Sequence, residues 1–442
     1  MSSLRIVPRA EHSVSRSQIT PGALKTLYML KDAGYDAYVV GGGIRDLLLG
    51  VQPKDFDVAT SAHPEEIKRV FRNSRLIGRR FRLAHVRFGQ EIVEVATFRA
   101  GHHTSTDSSA GHLDESGRIL RDNVYGSLEE DAWRRDFTIN ALYYGVNDFA
   151  IRDYVGGMED LQARRLRLIG DAEVRYIEDP VRMLRAVRLA AKLHLSIDPA
   201  TEAPLYQLGH LLAEVPPARL FDECLKIFFG STAHWAFAGL RQFGLLRHMF
   251  PQVEARLAES GANGDLQLIE QALRNTAERI KQQKPVTPYF LFAALLWPAA
   301  RPLLDSGESA GGAEIGSLVA QQVQRITIPK RFTIPMREIW DLQPRFHQRE
   351  GKRPLRLLSH PRFRAAYDFL LLRAACGQAE PGLAEWWTEL QAANPDQRAQ
   401  IAATQPDADP QQDTGPQPGK RRRRRRGGRG RRRPADTPAP AS

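Results

Sequence analysis

Residues Tyr38 to Thr60, YVVGGGIRDLLLGVQPKDFDVAT, decide how the rest of the chain is read. Tyr38-Val39-Val40 is a short β-prone run ending in three glycines, the composition of a tight turn lying beside a ligand. Ile44 to Leu49 can open a helix, Gly50 to Pro53 breaks it, and Asp55-Phe56-Asp57-Val58 reads as a second strand. Side chains alternate along a strand, so Asp55 and Asp57 share a face while Phe56 turns toward the core. Two carboxylates on one face repel, and a divalent cation relieves that repulsion. Magnesium, with its preference for hard oxygen ligands, fits where phosphates complete its shell. An isolated D-x-D is more often a solvated strand end. The upstream glycines and Arg45-Asp46 in register with them favour a site in which the amides of Gly42 and Gly43 hold phosphate oxygens. The G-K-[ST] of a Walker loop is missing, and the glycines do not have dinucleotide-fold spacing.

On the N-terminal side, Pro21 to Gly34 predicts a helix, with proline at N1 and Leu24, Leu27 and Leu30 at helical spacing. On the C-terminal side, Pro64 to Phe71 is a short helix, and Leu76 to Val95 reads as two or three strands with a turn at Gly89-Gln90. Glu94 lies on one of these strands with an apolar neighbour on its own face. It is either a third site acid or a structural ion-pair partner. Phe98 to Asn123 is expected to be a long mobile loop, in which His102-His103 lacks other ligands at metal-site spacing.

Ser127 to Tyr144 predicts one helix, opened by a capping box of Ser127 and Glu130. Arg134 and Arg135 can meet phosphate oxygens bidentately or form surface salt bridges. Arg175 to Leu193 predicts a second helix with Pro180 near its start. Asp179, Arg182 and Arg185 fall at i, i+3 and i+6 on one broad face, offering the acceptor and donors that a base edge needs, or an ion pair that only orders the helix. Pro216 to Phe229 is a further helix, with Arg219 and Glu223 one turn apart. An all-helical pattern follows, in which Trp297 and Trp340 read as packing residues. From Gln324 to Cys376, Lys330, Arg331, Arg345, Lys352, Arg353 and Arg362 interleave with Phe332, Phe346 and Phe363. That pattern suits a single strand whose bases stack, or a charged helical surface.

The chain has 442 residues and a formal net charge of +12, of which Lys420 to Arg433 alone supplies eleven basic residues. High basicity is therefore mainly a property of the tail, beginning at Lys420 and Arg421, and points to a polyanion. Gln397 to Gln417 is rich in Pro, Asp and Gln and is expected to be disordered. The two cysteines, Cys224 and Cys376, give neither a disulfide framework nor a zinc site and are expected to be buried in a reduced, cytoplasmic protein. No secretory signal is read in Met1 to Thr20, and no run is long enough to span a bilayer.

The order GGGIRD…KDFDVAT, followed by RRDFTINAL and RYIEDPVRMLRAVRLAAKL, resembles the polymerase-β-like nucleotidyltransferase superfamily. Within it, the chain is similar to the branch shared by bacterial poly(A) polymerases and tRNA CCA-adding enzymes. LIGRRFRLAHVRFG, SRSQITPGALKTLYML and the arginine-rich tail resemble the poly(A) polymerases, and no HD-type metal pattern is found. The resemblance implies an α+β protein with a small mixed-sheet head, an all-helical neck, body and RNA-binding region, and a disordered basic tail. The corresponding boundaries are a lead-in over 1–20, a head over 21–160, a neck over 161–230, a body over 231–395 and a tail over 396–442. It also implies two magnesium ions on Asp55 and Asp57, with Glu94 as a further acid. ATP would be held by Gly42, Gly43, Arg45, Asp46, Arg134, Arg135, Asp136, Asn140, Asp179, Arg182, Arg185 and Arg219, with Arg45 either neutralising phosphate or locking Asp46. The implied reaction adds AMP to RNA 3′ ends, tagging them for decay. CCA addition to tRNA is the alternative, and an inactive RNA-binding protein a remote one. Implied partners are RNA, an Sm-like RNA chaperone and the RNA-decay machinery, without DNA specificity. The protein is expected to be a monomer, and the tail could also meet a membrane surface.

Overall fold

Gly41, at φ +77°, turns the chain out of one strand and straight into a helix, a backbone conformation that side-chain-bearing residues rarely adopt. In this computed structural model, which describes residues 4–78, 82–100, 111–113, 119–122, 124–259, 261–305 and 311–403, that turn sits at the centre of the head. The head begins with β1 (Arg5–Val7), α1 (Pro21–Asp32), β2 (Ala37–Val40), α2 (Gly42–Leu48), β3 (Asp57–Thr60) and α3 (Pro64–Val70). It continues with β4 (Ser74–Ile77), β5 (Leu83–Phe88), β6 (Glu91–Thr97), the small ribbon β7 (Gly111–Leu113) and β8 (Ile119–Asp122), α4 (Leu128–Arg134), β9 (Leu142–Gly145) and β10 (Ile151–Asp153). Eight of these strands form one mixed sheet in the order β1-β10-β9-β2-β3-β6-β5-β4. Only β3 and β6 pair in parallel within it.

The alternation expected along the strands is present. Val39, Val58, Val93 and Val95 point into the main core beneath α1 and α3, whereas Tyr38, Val40 and Ala59 pack on the other face beside Ala132 of α4. The helical part follows through α5 (Gly157–Gln162), β11 (Arg165–Leu166), α6 (Ala172–Glu178), α7 (Val181–Leu193), β12 (Ser196–Ile197), α8 (Pro199–Glu202), α9 (Leu205–Leu208) and α10 (Pro217–Phe228). Beyond these lie α11 (Ala233–Gln242), α12 (Leu246–Met249), α13 (Pro251–Leu257), α14 (Asn263–Lys281), α15 (Pro288–Asp305), α16 (Gly311–Arg325) and α17 (Lys330–Leu342). The last helices are α18 (Arg353–Leu358), α19 (Phe363–Ala375), α20 (Pro381–Ala392) and α21 (Pro395–Ala403). Among the described residues, no helix is long and apolar enough to cross a membrane.

Several segments differ from the sequence expectation. The helix begun by the Ser127–Glu130 capping box stops at Arg134 instead of reaching Tyr144. Asp136 accepts the Phe137 N–H at 2.8 Å, the local side-chain bond that competes with helix propagation, and Leu142 onward becomes a central strand. Pro180 divides Arg175 to Leu193 into α6 and α7, leaving Asp179 at the break with φ −151°. The interval expected to be a loop contains the β7–β8 ribbon, while His102 and His103 lie outside the described residues.

The stretch from Gln397 is not wholly unstructured, because α21 runs to Ala403 and Ile401 packs on the second core. Its start is fixed by a reciprocal cap, in which Asn394 N–H donates to Gln397 Oε1 at 3.0 Å and Gln397 N–H to Asn394 Oδ1 at 2.9 Å. Cys224 is buried as expected, whereas Cys376 is only half-buried.

Candidate active site

Asp57 opens β3 and pairs in register with Glu94 on the parallel strand β6, so both carboxylates rise from the same face of adjacent strands. Asp55, expected on the same strand as Asp57, instead lies exposed in the segment before β3, which begins only at Asp57, and Phe56 is buried between the two acids. Phe56 explains Gly43: a Cβ there would lie 2.8 Å from the Phe56 ring and 3.4 Å from the Asp55 carbonyl oxygen. The glycine lets α2 close onto the segment that carries the acids.

Above Asp57 and Glu94, but not Asp55, is a cleft of about 230 Å³, lined by Val40, Asp57, Glu94, Ala96, Arg99, Asp131, Arg134 and Arg135 among others. Asp57 opens to solvent at the strand end, yet the protein packed around it and then the negative charge of Glu94 outweigh Arg135 and, with a smaller push from Asp55, move its pKa upward. Two carboxylates in register, Asp57 and Glu94, fit a hard divalent cation held by one or two carboxylates and by substrate oxygens. Among the described residues, no three His, Cys, Asp or Glu side chains form a preformed metal cluster. Glu94 also meets His85 Nε2 at 3.1 Å, so both readings of Glu94 have a geometric counterpart.

The cationic wall is built by α4 and the turn after it. Arg135 donates from Nε to the Tyr143 hydroxyl at 2.8 Å and from Nη2 to Asp131 at 3.0 Å, while Tyr143 donates to the same carboxylate at 2.7 Å. Asp131 also accepts the Arg99 N–H at 3.2 Å. Sequence reasoning misses Arg99 and Asp131 as cleft residues. Asp131 reads in sequence as one more acid in a helix first turn, and Arg99 carries no local signal.

Arg45, Asp46, Asp136 and Asn140 lie behind this wall. Arg45 holds Asp46 at 2.8 Å through Nε and Asn140 Oδ1 at 2.6 Å through Nη1, so its geometry is that of a lock on the turn. Asn140 in turn donates to Asp136 at 3.0 Å, and Arg185 Nε reaches Asp136 at 2.8 Å. Burial alone would raise the Asp136 pKa, but Arg185 and these hydrogen bonds hold it well below the usual carboxylate range.

The two residues expected to offer a base edge both have intramolecular partners. Asp179 is held at both oxygens by Arg219, at 2.6 Å each, and Arg182 Nη1 donates to Glu178 at 2.9 Å. Arg219 thus braces the break between α6 and α7 from α10, while Glu223 meets Arg188 at 3.5 Å and Lys226 at 2.8 Å.

Farther out, Lys330, Arg331, Arg345, Lys352 and Arg353 are exposed, and Arg362 pairs with Glu338 at 2.8 Å. The aromatic residues between them are not stacking platforms. Phe346 and Phe363 are buried in the second core, and Phe332 packs against Phe221. Trp297 and Trp340 are core residues as expected. Lys420 and Arg421 lie outside the described residues.

A mixed sheet that presents acids on neighbouring strands beneath an arginine wall, followed by a helical region, is the arrangement of a nucleotidyltransferase. Three family models match the chain: the poly A polymerase head domain over residues 37–167, a probable RNA- and SrmB-binding site of polymerase A over 194–257, and the polymerase A arginine-rich C-terminus over 308–429. Poly(A) polymerase I of Salmonella typhimurium is 49% identical over 410 residues, covering 89% of this chain and 87% of that protein. Poly(A) polymerase I of Escherichia coli O157:H7 is 48% identical over 412 residues, covering 90% and 88%. Among solved structures, the Bacillus stearothermophilus CCA-adding enzyme in complex with CTP aligns with a TM-score of 0.57 at 28% identity, covering 84% of this chain and 82% of that one. The chain belongs to the bacterial poly(A) polymerase I family.

Proposed function

We propose that this enzyme is a template-independent polynucleotide adenylyltransferase that adds AMP from ATP to RNA 3′ ends and releases pyrophosphate. The observation that carries the chemistry is the in-register pairing of Asp57 with Glu94 beneath Arg134 and Arg135. Asp55 and Asp57, with Glu94 beside them, would hold two magnesium ions. When bound, these supply Lewis-acid charge for the 3′-hydroxyl and the triphosphate. Arg134 and Arg135 orient the triphosphate and offset its charge, helped by the amides of Gly42 and Gly43. Arg45, Asp46, Asp136, Asn140 and Arg185 keep that wall in place, so their part in nucleotide binding is indirect. Asp179 and Arg182 read the adenine edge, with Arg219 limiting how Asp179 can turn. We assign residues 21–160 to the catalytic head, together with β1 and the core residues Val14 and Ile19 of the segment expected to be a separate lead-in, 161–230 to the neck, 231–403 to the body and 404–442 to the tail.

The exposed cations from Lys330 to Arg353 follow the phosphate backbone, and the arginine-rich tail adds to that attraction. Free cysteines suit a reducing cytoplasm, where tailed RNA would be passed to decay enzymes or an RNA chaperone. Supplying purified protein with an unstructured RNA, Mg²⁺ and each nucleoside triphosphate separately tests the reading. Long extension with ATP alone is expected. Addition confined to tRNA with CTP required first overturns it in favour of CCA addition. Asp55→Ala/Asp57→Ala should abolish extension while RNA binding persists, and binding without activity in the unmodified chain would identify an inactive relative.

A further inference from the structure

Arg175 belongs to α6 in the neck, yet its Nη2 reaches out of that helix to the end of α4. Nη2 donates to the backbone carbonyl oxygens of Arg134 and Arg135, at 2.7 Å in both cases. Nη1 donates to Glu178 Oε2 at 2.7 Å, and the same oxygen accepts from Arg182 Nη1 at 2.9 Å. Arg182 Nη1 also donates to the Arg175 carbonyl at 2.7 Å, which closes the cluster. The three side chains are between 9% and 21% exposed, so water competes little for these bonds.

The position of the cation matters as much as its bonds. The last carbonyls of α4 have no partner within the helix, and a positive group at a helix C-terminus is favoured by the helix dipole. Arg175 fills that place for both arginines of the cleft wall. A continuous path therefore runs from Arg182, through Glu178 and Arg175, to the backbone that aims the guanidinium groups of Arg134 and Arg135. Burial, and then the charge of Arg182, lowers the Arg175 pKa to about 10, so the group is held there against an electrostatic cost.

We infer that Arg175 is a positioning residue that couples the neck's reading of the base to the grip of Arg134 and Arg135 on the triphosphate. The inference rests on the nucleotide assignments made above and extends them to a residue that touches neither base nor phosphate. In this arrangement a wrong base that disturbs Arg182 also loosens the two arginines, so selectivity is expressed in the chemical step as well as in binding.

The test uses the full chain with Arg175→Lys, which keeps the charge but not the fork, and Arg175→Gln. Two quantities are read: inhibition by pyrophosphate, which has no base, and the ratio of kcat/KM for ATP to that for CTP. Both should move, by roughly tenfold for Arg175→Lys, because charge-assisted paired bonds are removed. Affinity for RNA should stay unchanged. Combining Arg175→Lys with Arg182→Lys should cost less than the product of the two single effects. A variant that lowers Tm but leaves either quantity unchanged, or a strictly multiplicative double variant, overturns the inference and leaves the adenylyltransferase reading intact if the unmodified chain extends RNA with ATP.

Discussion

Arg219 on α10 grips both oxygens of Asp179 at 2.6 Å, across the gap between two helices of the neck. A carboxylate fixed by a two-pronged donor cannot rotate freely to suit a differently shaped base. Replacing Arg219 with Gln should therefore leave ATP usable while raising CTP incorporation relative to ATP by roughly tenfold, the scale of one charge-assisted hydrogen bond. Single-turnover incorporation with each nucleotide on the same RNA measures the ratio, and an unchanged ratio would show that the brace has no part in selection.

Gly43 offers a test of how closely α2 must approach the acids. Alanine there would bring its Cβ within 2.8 Å of the Phe56 ring. The ring must shift, carrying Asp55 and Asp57 with it. Gly43→Ala should cost about 1–3 kcal/mol of stability and lower kcat with RNA affinity preserved. Urea unfolding and steady-state extension report the two effects separately.

Asp136 gives a pH dependence with a defined sign. Its folded pKa lies below the ordinary 3.8, so its stabilisation is complete above that value and is lost as pH falls through the lower, folded titration. Asp136→Asn leaves Arg185 without its counter-ion and should cost about 3 kcal/mol at pH 7. The variant should lack the part of the acid-induced loss below pH 4 that Asp136 supplies. Urea midpoints for both proteins at pH 7, 4 and 3 provide the comparison, and parallel curves would show that another group carries the dependence.

Deleting residues 404–442 removes the Lys420–Arg433 tract. RNA affinity should fall at low salt, and the plot of log affinity against log salt should flatten by about 0.7 for each single-strand phosphate that the tail no longer neutralises. With saturating RNA, kcat should be unchanged. Filter binding between low and moderate salt measures the slope.

Local chemistry is legible in the sequence, and long-range pairing is less so. The Ser127 cap, the glycine turn, the alternation of β5 and β6 and the helical spacing of α1 all follow from residues close to one another. The end of α4 at Arg134 cannot be read this way, because Asp136 breaks the helix by bonding to the next amide and β9 then joins a sheet fixed by distant strands. Phe346 and Phe363 look available for stacking in sequence because a one-dimensional pattern of charge and ring does not say which side of a helix is covered. Arg175 reads in sequence only as the start of a helix. Its partners are backbone carbonyls forty residues upstream, and backbone atoms leave no mark on composition or spacing. The Asn394–Gln397 cap, by contrast, is present in the sequence and is obscured by the polar composition around it.

The parallel pairing of β3 with β6 also sets how much of the chain must be present before the two acids can meet. In the chain Asp55 and Asp57 precede Glu94, and α3, β4 and β5 lie between the two strands that bring Asp57 and Glu94 together. A chain cut before Glu91 keeps the D-x-D sequence but lacks the strand whose Glu94 stands in register with Asp57.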